Sequence, residues 1–400
     1  MTAGWKIQSL GDVADVIAGQ SPDGSHYNAS GKGMPFYQGK KEFGEKFLGE
    51  PTTWTTDVTR IAQKGDVLMS VRAPVGPVNF SNGEICIGRG LAAIRASAEL
   101  DRNFLFYFLM SKRDEIQGTE GAVFASINKT QIEAIKIAVP PLVEQRRIVG
   151  ILDEAFAAIA IAKANAEKNL RNARGVFESK LAATFDDTAD GWVDAAIGDH
   201  IRFIDYRGKT PTKTASGLRL ITAKNVKMGY LQREPVEFVS PSSYEAWMTR
   251  GIPKKGDVLF TTEAPLANVA QLDTDEKVVF AQRIIIMQPD AKRFDSAFLK
   301  YLLLSKPVQD RIRSKGTGAT VQGIKASLLK AIRIRFPAAI TRQQLIARQL
   351  DELGVDVEKL ESLYELKIAA LGDLKKSLLH QAFTGQLGGR EEPLSELISA

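Results

Sequence analysis

Few residues in this chain are arranged for covalent chemistry. Gly208-Lys209-Thr210 has the tail of a phosphate-binding loop, but Phe203 stands where the first glycine of that motif belongs. Without that glycine the backbone cannot cradle a phosphate. The sole Pro-Pro pair, in Val139-Pro140-Pro141-Leu142, lacks the Asp/Asn before it and the aromatic after it that hold a flipped adenine in a methyltransferase. One cysteine, Cys86, and three scattered histidines, His26, His200 and His380, offer no metal-ligand spacing. His380 is read as solvated or partner-facing. No serine or cysteine sits in a nucleophile elbow. The expectation is therefore no catalytic residue, no metal and no cofactor.

The remaining polar chemistry is of the kind that touches nucleic acid. Phosphates are met by Lys, Arg and small polar groups, and base edges by Arg, Lys, Asn or Gln with reach into a groove. Tyr37-Gln38-Gly39-Lys40-Lys41-Glu42-Phe43-Gly44 is a glycine-flanked basic loop that offers Gln38, Lys40 and Lys41. The corresponding place in the second half, Thr222 to Lys227, offers Lys224, Asn225 and Lys227. A solvated basic turn is the competing role for both. Arg72 precedes Ala73-Pro74, and Arg89 lies between Gly88 and Gly90. Flanking glycines allow close approach to a phosphate, or mark a tight bend at a strand. Gln282 and Arg283 precede an apolar strand, with Arg283 near the position of Arg89. Asn128 and Lys129 follow one glycine turn and Lys325 follows the other. Pairing Ile127 with Ile324 sets Asn128 opposite Lys325, and capping of the next helix is a rival role for Asn128.

The elements that must hold these residues occur twice. Gly4-Trp5 matches Gly191-Trp192, and Lys64-Gly65-Asp66-Val67-Leu68 recurs as Lys255-Gly256-Asp257-Val258-Leu259, followed by Ala73-Pro74 and Ala264-Pro265. Phe104-Leu105 with Tyr107 recurs as Phe298-Leu299 with Tyr301, and Leu152-Asp153-Glu154 as Leu350-Asp351-Glu352. Strands are expected at Asp66–Arg72, Glu84–Arg95, Val258–Thr262 and Val278–Met287, and helices at Arg102–Asp114 and Phe298–Ile312. Trp5 and Trp192 read as packing anchors that begin each half.

Each globular part leads into a long helix. Ile148, Leu152, Ala155, Ile159, Ala162, Ala166, Ala173 and Val176 alternate steps of four and three, the heptad seam of a coiled coil. Positions 198 further on hold Ile346, Leu350, Leu353, Val357, Leu360, Tyr364, Leu371 and Leu374. The shared register makes the two helices each other's expected partners, and the short link after Phe185 favours an antiparallel pair. The outward charges Glu144, Arg146, Arg147, Glu167, Lys168, Lys359, Glu361 and Lys375 form a solvated face, some of it interface.

The totals agree with this plan. A length of 400 residues exceeds one ordinary core, and the apolar fraction is 44%. No apolar run is long enough to span a membrane. Met1-Thr-Ala-Gly-Trp-Lys6 has no apolar signal region, and the lone cysteine allows no intrachain disulfide, so a cytoplasmic setting is expected. A net charge of +6 leans towards nucleic acid. Two similar but unequal heads on a rigid spacer suit a partner that repeats in space. Duplex DNA, with half-sites recurring about every 34–36 Å, is such a partner.

At this point the whole chain resembles the specificity subunit of type I restriction–modification systems. The resemblance rests on the doubled layout and on Pro140-Pro141-Leu142-Val143-Glu144-Gln145-Arg146-Arg147-Ile148, close to that family's junction into its first helix. It rests also on Ile87-Gly88-Arg89-Gly90-Leu91, on Asp205-Tyr206-Arg207-Gly208-Lys209-Thr210-Pro211, and on Phe383-Thr384-Gly385-Gln386-Leu387. The second junction, Phe336-Pro337-Ala338-Ala339-Ile340-Thr341-Arg342-Gln343-Gln344, departs from the pattern: it has neither the double proline nor the Glu-Gln. The family's Gly-Thr-Thr-like turn appears as Gly118–Gly121 and as Gly316–Thr320.

The resemblance implies an α+β protein. Target recognition domains 1–140 and 186–338 would be related by a pseudo-twofold axis and separated by helical spacers 141–185 and 339–388, an antiparallel coiled coil, with a tail at 389–400. It implies a non-catalytic subunit whose two domains each read one half of a bipartite double-stranded DNA site. The helices would dock two modification (methyltransferase) subunits, with restriction (translocase and nuclease) subunits joining that assembly. The alternatives are a self-contained nuclease or methyltransferase with a helical dimerisation arm, which the missing motifs oppose, and a coiled-coil scaffold for proteins only.

Overall fold

Leu142–Asp186 and Ile340–Thr384 are each one helix of 45 residues in the computed structural model, which describes residues 5–116, 126–186, 191–206, 211–318 and 322–387. Pro140-Pro141 precedes the first helix. Gly385, at φ +76°, stops the second in the left-handed conformation that glycine adopts without a Cβ clash. The Gly118–Gly121 turn, Arg207–Thr210, Ala319-Thr320 and the tail 389–400 lie outside the described residues.

Contacts divide the chain into a unit of Met1–Glu167 with Glu365–Ala400 and a unit of Lys168–Tyr364. Each unit holds one globular head, part of the first long helix and part of the second.

In the first unit, Ala14–Ala18, Leu91–Ala96, Val67–Ser70 and Val78–Phe80 form an antiparallel sheet in that order. In its two central strands Val67–Met69 and Leu91–Ile94 are unbroken buried apolar runs, because both faces there are covered. Side chains alternate between faces. Val67, Met69, Ala92 and Ile94 join a core that contains the helix Arg102–Ser111. Leu68, Leu91 and Ala93 join a second core against the sheet built by Met34–Tyr37 and Ile85–Ile87. An antiparallel pair, Lys6–Ser9 with Lys136–Val139, brings the two ends of the head together next to the helix junction. Trp5 packs on the first core.

The second unit repeats this plan. Ile201–Asp205, Ile284–Pro289, Val258–Thr262 and Leu266–Gln271 form the equivalent antiparallel sheet. Trp192–Ala196 pairs with Arg333–Pro337 as the equivalent closing pair. Trp192 packs edge-on to Phe185 and Phe298. Both tryptophans are thus packing anchors.

Two expected strands are broken. Glu84–Arg95 is Ile85–Ile87 and Leu91–Ala96, which belong to different sheets. The chain crosses between sheets at Gly88-Arg89-Gly90, where a Cβ on Gly90 would meet the Gln38 carbonyl oxygen at 2.4 Å. Val278–Met287 divides likewise into Val279–Phe280 and Ile284–Pro289. Each expected head helix is also two: Arg102–Ser111 and Arg113–Ile116, then Ser296–Leu304 and Lys306–Lys315.

Within each unit the start of one long helix packs with the end of the other, the antiparallel pairing that the shared register implies. In the first unit Ile148, Leu152, Ala155 and Ile159 share a core with Leu371, Leu378, Leu379 and Ala382. In the second, Arg174 pairs with Glu361 at 2.9 Å, and Phe177 and Leu181 share a core with Ile346 and Leu350. The seam is not sealed along its whole length. Val176 and Leu360, both expected on the seam, are exposed at 53% and 42%.

The junctions fix each head to its helix. Gln145, fully buried, accepts from Asp101 N at 2.7 Å and donates to the carbonyls of Glu99 and Pro140 at 2.9 and 2.8 Å. Gln343 does the same with Asp295 N, Arg293 O and Pro337 O, at 2.9, 3.1 and 2.8 Å. The second junction, which departs from the family pattern in sequence, therefore keeps the glutamine that matters.

Candidate nucleic-acid interface

The two basic loops share a bridged hairpin. In the first head the stretch after Tyr37 makes a short 3-10 turn, Lys40–Glu42, and a hairpin in which Phe43 bridges Leu48. In the second, Val226 bridges Leu231 across a hairpin of equal length. That register aligns Lys41 with Lys224, Glu42 with Asn225 and Gly44 with Lys227. Tyr37 anchors the loop by donating to Gly49 O at 3.0 Å, and burial pushes its phenol up to about 12.

In the first unit the expected residues converge. Gln38, Lys40, Lys41 and Arg89 line one open cleft of about 790 Å³, whose floor includes the stacked rings of Tyr27 and Phe36, centroids 4.8 Å apart. Arg72, Arg89, Asn128 and Lys129 line a second cleft. Arg89 belongs to both, so the seven side chains form one continuous face. They come from four separate stretches, and the Gly88–Gly90 crossing brings them together. Gly88 N donates to Tyr37 O at 2.9 Å and Gly90 N to Gln38 O at 3.2 Å, which seats Arg89 beside the basic loop. Arg72 bridges Ser126, and Ile127 N donates to Val71 O, which seats Asn128 and Lys129 beside Arg72. Two acids, Asp23 and Glu42, also line the first cleft. Asp23 accepts from Ser25 N and Oγ, bonds that hold its carboxyl below the usual range, and Glu42 accepts from Thr52 Oγ1.

The sequence did not single out Ser21. Its Oγ donates to Gln38 Oε1 at 3.2 Å and accepts from Arg89 N at 3.1 Å, so it orders two candidate contacts at once. The polar Gln20-Ser21-Pro22 run after a strand was the available signal. Asn128 caps the helix Lys129–Glu133: Gln131 N donates to its Oδ1 at 2.9 Å, and Asn128 N donates to Gln131 Oε1. The rival role is thus the one its carbonyl oxygen performs. Lys129 lies 3.5 Å from Glu133, a loose pair that leaves the ammonium exposed.

In the second unit Lys224, Arg283 and Lys325 are exposed, while Lys227 and Gln282 are half-buried. Asn225 is not at the surface. It is fully buried, and its side chain accepts from Thr222 N and Oγ1 and donates to the carbonyls of Gln232 and Pro235. An amide so committed organises the turn and has nothing left for a base edge. The register also resolves, to the residue, where Gln282 and Arg283 stand. Leu91 pairs with Ser70 and Ile284 with Thr261, so Gln282 stands at the Arg89 position and Arg283 at that of Gly90. Arg283 is ion-paired with Glu263 at 2.9 Å.

Among the described residues no group of acids, histidines and cysteine is placed to hold a metal ion, and no helix is long and apolar enough to cross a membrane. Cys86 is buried.

Known proteins share this build. The profile of the type I restriction modification DNA specificity domain matches residues 2–171 and 244–367. The putative type I restriction enzyme MjaX specificity subunit of Methanocaldococcus jannaschii is 44% identical over 148 residues, 36% of this chain and 35% of that protein. The MjaVIII specificity subunit of the same organism is 24% identical over 420 residues, 96% of this chain and 93% of that one. A chain solved in work on complex assembly and conformational transition of a type I R-M system shares the fold with a TM-score of 0.79 at 18% identity, covering 96% of this chain and 99% of its own. The HsdS subunit from Thermoanaerobacter tengcongensis gives 0.62 at 18% identity over 96% and 98%.

Proposed function

This chain belongs to the type I restriction–modification DNA-specificity family, and we propose that its two heads read two different short sequences in one bipartite duplex site. Within that family its role is recognition, and it performs no chemistry itself. The first head meets DNA through Gln38, Lys40, Lys41, Arg72, Arg89 and Lys129, with Asn128 holding the helix start beside them. The second head uses Lys224, Lys227, Gln282, Arg283 and Lys325. The long helices carry two methyltransferase subunits, and restriction subunits join through that assembly.

The observation that carries this reading is the gathering of four separated basic or amide stretches onto two adjoining clefts that share Arg89. A solvated turn would need no such gathering. Among the described residues no group of acids, histidines and cysteine is placed to hold a metal ion near these clefts, which weighs against a self-contained metal-dependent nuclease.

Methylome sequencing of cells expressing the chain with its cognate methyltransferase subunit, beside that subunit alone, tests it. One split adenine-methylation motif is expected only when the chain is present, and exchange of residues 1–140 for those of another family member changes one half of it. Lys40→Ala with Lys41→Ala lowers affinity across sequences and reduces the salt slope by about 1–2. A motif that does not depend on the chain overturns the proposal.

A further inference from the structure

At one equivalent place the two heads carry opposite chemistry. The strand register sets Glu263 where the first head has Arg72, and Arg283 where it has Gly90. The surrounding backbone bonds are the same: Val71 N donates to Gly90 O at 3.0 Å, and Thr262 N to Arg283 O at 2.9 Å. The next residue bridges Ser126 in one head and Gly323 in the other. Glycine is the natural occupant of such a crossing. Arg283 nevertheless holds it at φ +81°, in the left-handed region that side chains disfavour.

Its Nε lies 2.9 Å from Glu263 Oε1, and the two side chains are 45% and 43% exposed. An ion pair so open to water adds little stability. It does not explain why an arginine stands where glycine would remove the strain. Non-glycine residues in this conformation cluster where a side chain is needed for recognition or catalysis. Among the described residues the terminal amino groups of Arg283 make no hydrogen bond, and Lys325 lies two residues after Gly323, which bridges Glu263.

We propose that Glu263 and Arg283 are the base-reading pair of the second head. Glu263 fixes the guanidinium through Nε, and the two terminal amino groups take the O6 and N7 acceptors of a guanine in the major groove. Arg72, at the Glu263 position of the first head, has no such carboxylate and takes a phosphate. The inference rests on the reading of this face as the DNA face, and Glu263 enters it as a specificity-determining residue through Arg283.

The test uses the assembled complex with its methyltransferase subunits, comparing wild type with Arg283→Gly, Glu263→Gln and Arg72→Ala. Each is measured by thermal unfolding and by methylome sequencing. Arg283→Gly is expected to leave Tm unchanged or raised, because it removes the strained side chain. It should reduce discrimination at one guanine of the second half-site by about 10- to 100-fold, with the first half-site intact. Glu263→Gln should weaken the same position several-fold less, and Arg72→Ala should lower affinity without changing either half. A fall in Tm with an unchanged motif overturns the proposal, since the pair is then structural. So does a uniform loss over all sequences, the signature of a phosphate contact, and so does a second half-site without a G·C pair. A wild-type complex with no motif that depends on the chain overturns the DNA reading itself and this pair with it, an outcome distinct from the others.

Discussion

In the first unit the Tyr107 hydroxyl donates to Asp153 on the first long helix, and Lys46 lies 2.8 Å from the same carboxylate. Lys46 comes from the tip of the Phe43–Leu48 hairpin, so the basic loop is tied to the helix. In the second unit Tyr301 donates to Asp351, and the cation is Lys300, its neighbour on the same head helix, at 3.1 Å. The hairpin position of Lys46 is held there by Gly229. With no side chain at that tip, a groove of about 700 Å³ stays open among Phe177, Leu181, Met228, Tyr230 and Leu304. The repeat thus keeps the acceptor on the spacer and the tyrosine on the head, and lets the cation come from whichever element is near. A carboxylate on a rigid helix needs a counter-charge in range, not one particular residue.

The same lesson holds inside the heads. Asp66, 3% exposed, is gripped by Arg95 through two bonds of 2.9 and 2.8 Å. Its repeat partner Asp257, 8% exposed, is met by Gln288 Nε2 at 2.7 Å and by Lys254 N at 2.8 Å. With no guanidinium beside it, burial dominates and pushes the Asp257 carboxyl up.

The largest effect that could break the comparison is at the junctions. Gln145→Ala and Gln343→Ala each strand one buried N–H and two carbonyls, and each is expected to lower stability by about 3 kcal/mol in chemical denaturation. Equal losses confirm that the two junctions are one device, and a second loss under half the first would divide them.

Asp66→Asn comes next. It leaves Arg95 without its carboxylate and should cost about 2 kcal/mol. Asp257→Asn should be neutral or stabilising at neutral pH. The sign follows from the raised folded-state value: the carboxyl's contribution is fully present below the unfolded value near 3.9 and is lost as pH rises through the folded one. Urea midpoints of both variants at acid and neutral pH measure it.

Tyr107→Phe and Tyr301→Phe are each expected to lose about 1–2 kcal/mol. Burial, then the bond to the aspartate, raises both phenols. Their contribution is therefore full below the unfolded value near 10 and is lost as pH rises through the higher folded one. Alkaline unfolding should begin less steeply in the Phe variants. The smallest expected difference is at the cation. Lys46→Ala should cost under about 1 kcal/mol but loosen the hairpin and weaken DNA binding by the first head. Lys300→Ala, with no hairpin attached, should leave DNA binding unchanged. Equal effects on DNA binding would remove the distinction between the two anchors.

Much of this was legible in the residues. The shared heptad register identified two partner helices, because a period near 3.5 is a one-dimensional signal. The Lys-Gly-Asp-Val-Leu repeats placed the central strand of each sheet, because runs buried on both faces stay apolar without interruption. The basic loop, Arg72, Arg89 and Lys129 stood out as candidates by residue type and by nearby glycine or proline, but nothing in their spacing showed that they gather around Arg89. Asn225 was misread, since nothing local separates an amide that reads a groove from one that ties a turn to distant carbonyls. Arg283, expected near the Arg89 position, stands one residue beyond it, a step that only ladder register fixes because the offset between halves drifts.

The sequence by itself determined that the chain is a doubled head-and-helix protein, basic and without catalytic motifs, since composition, period and repeat are properties of the chain's order. Only the tertiary structure decided that four separated stretches meet around Arg89, that Gln343 repeats the work of Gln145, and that Glu263 faces Arg283. Each of these depends on which strands pair and where the chain crosses between sheets, and contacts between distant residues leave no fixed spacing to read.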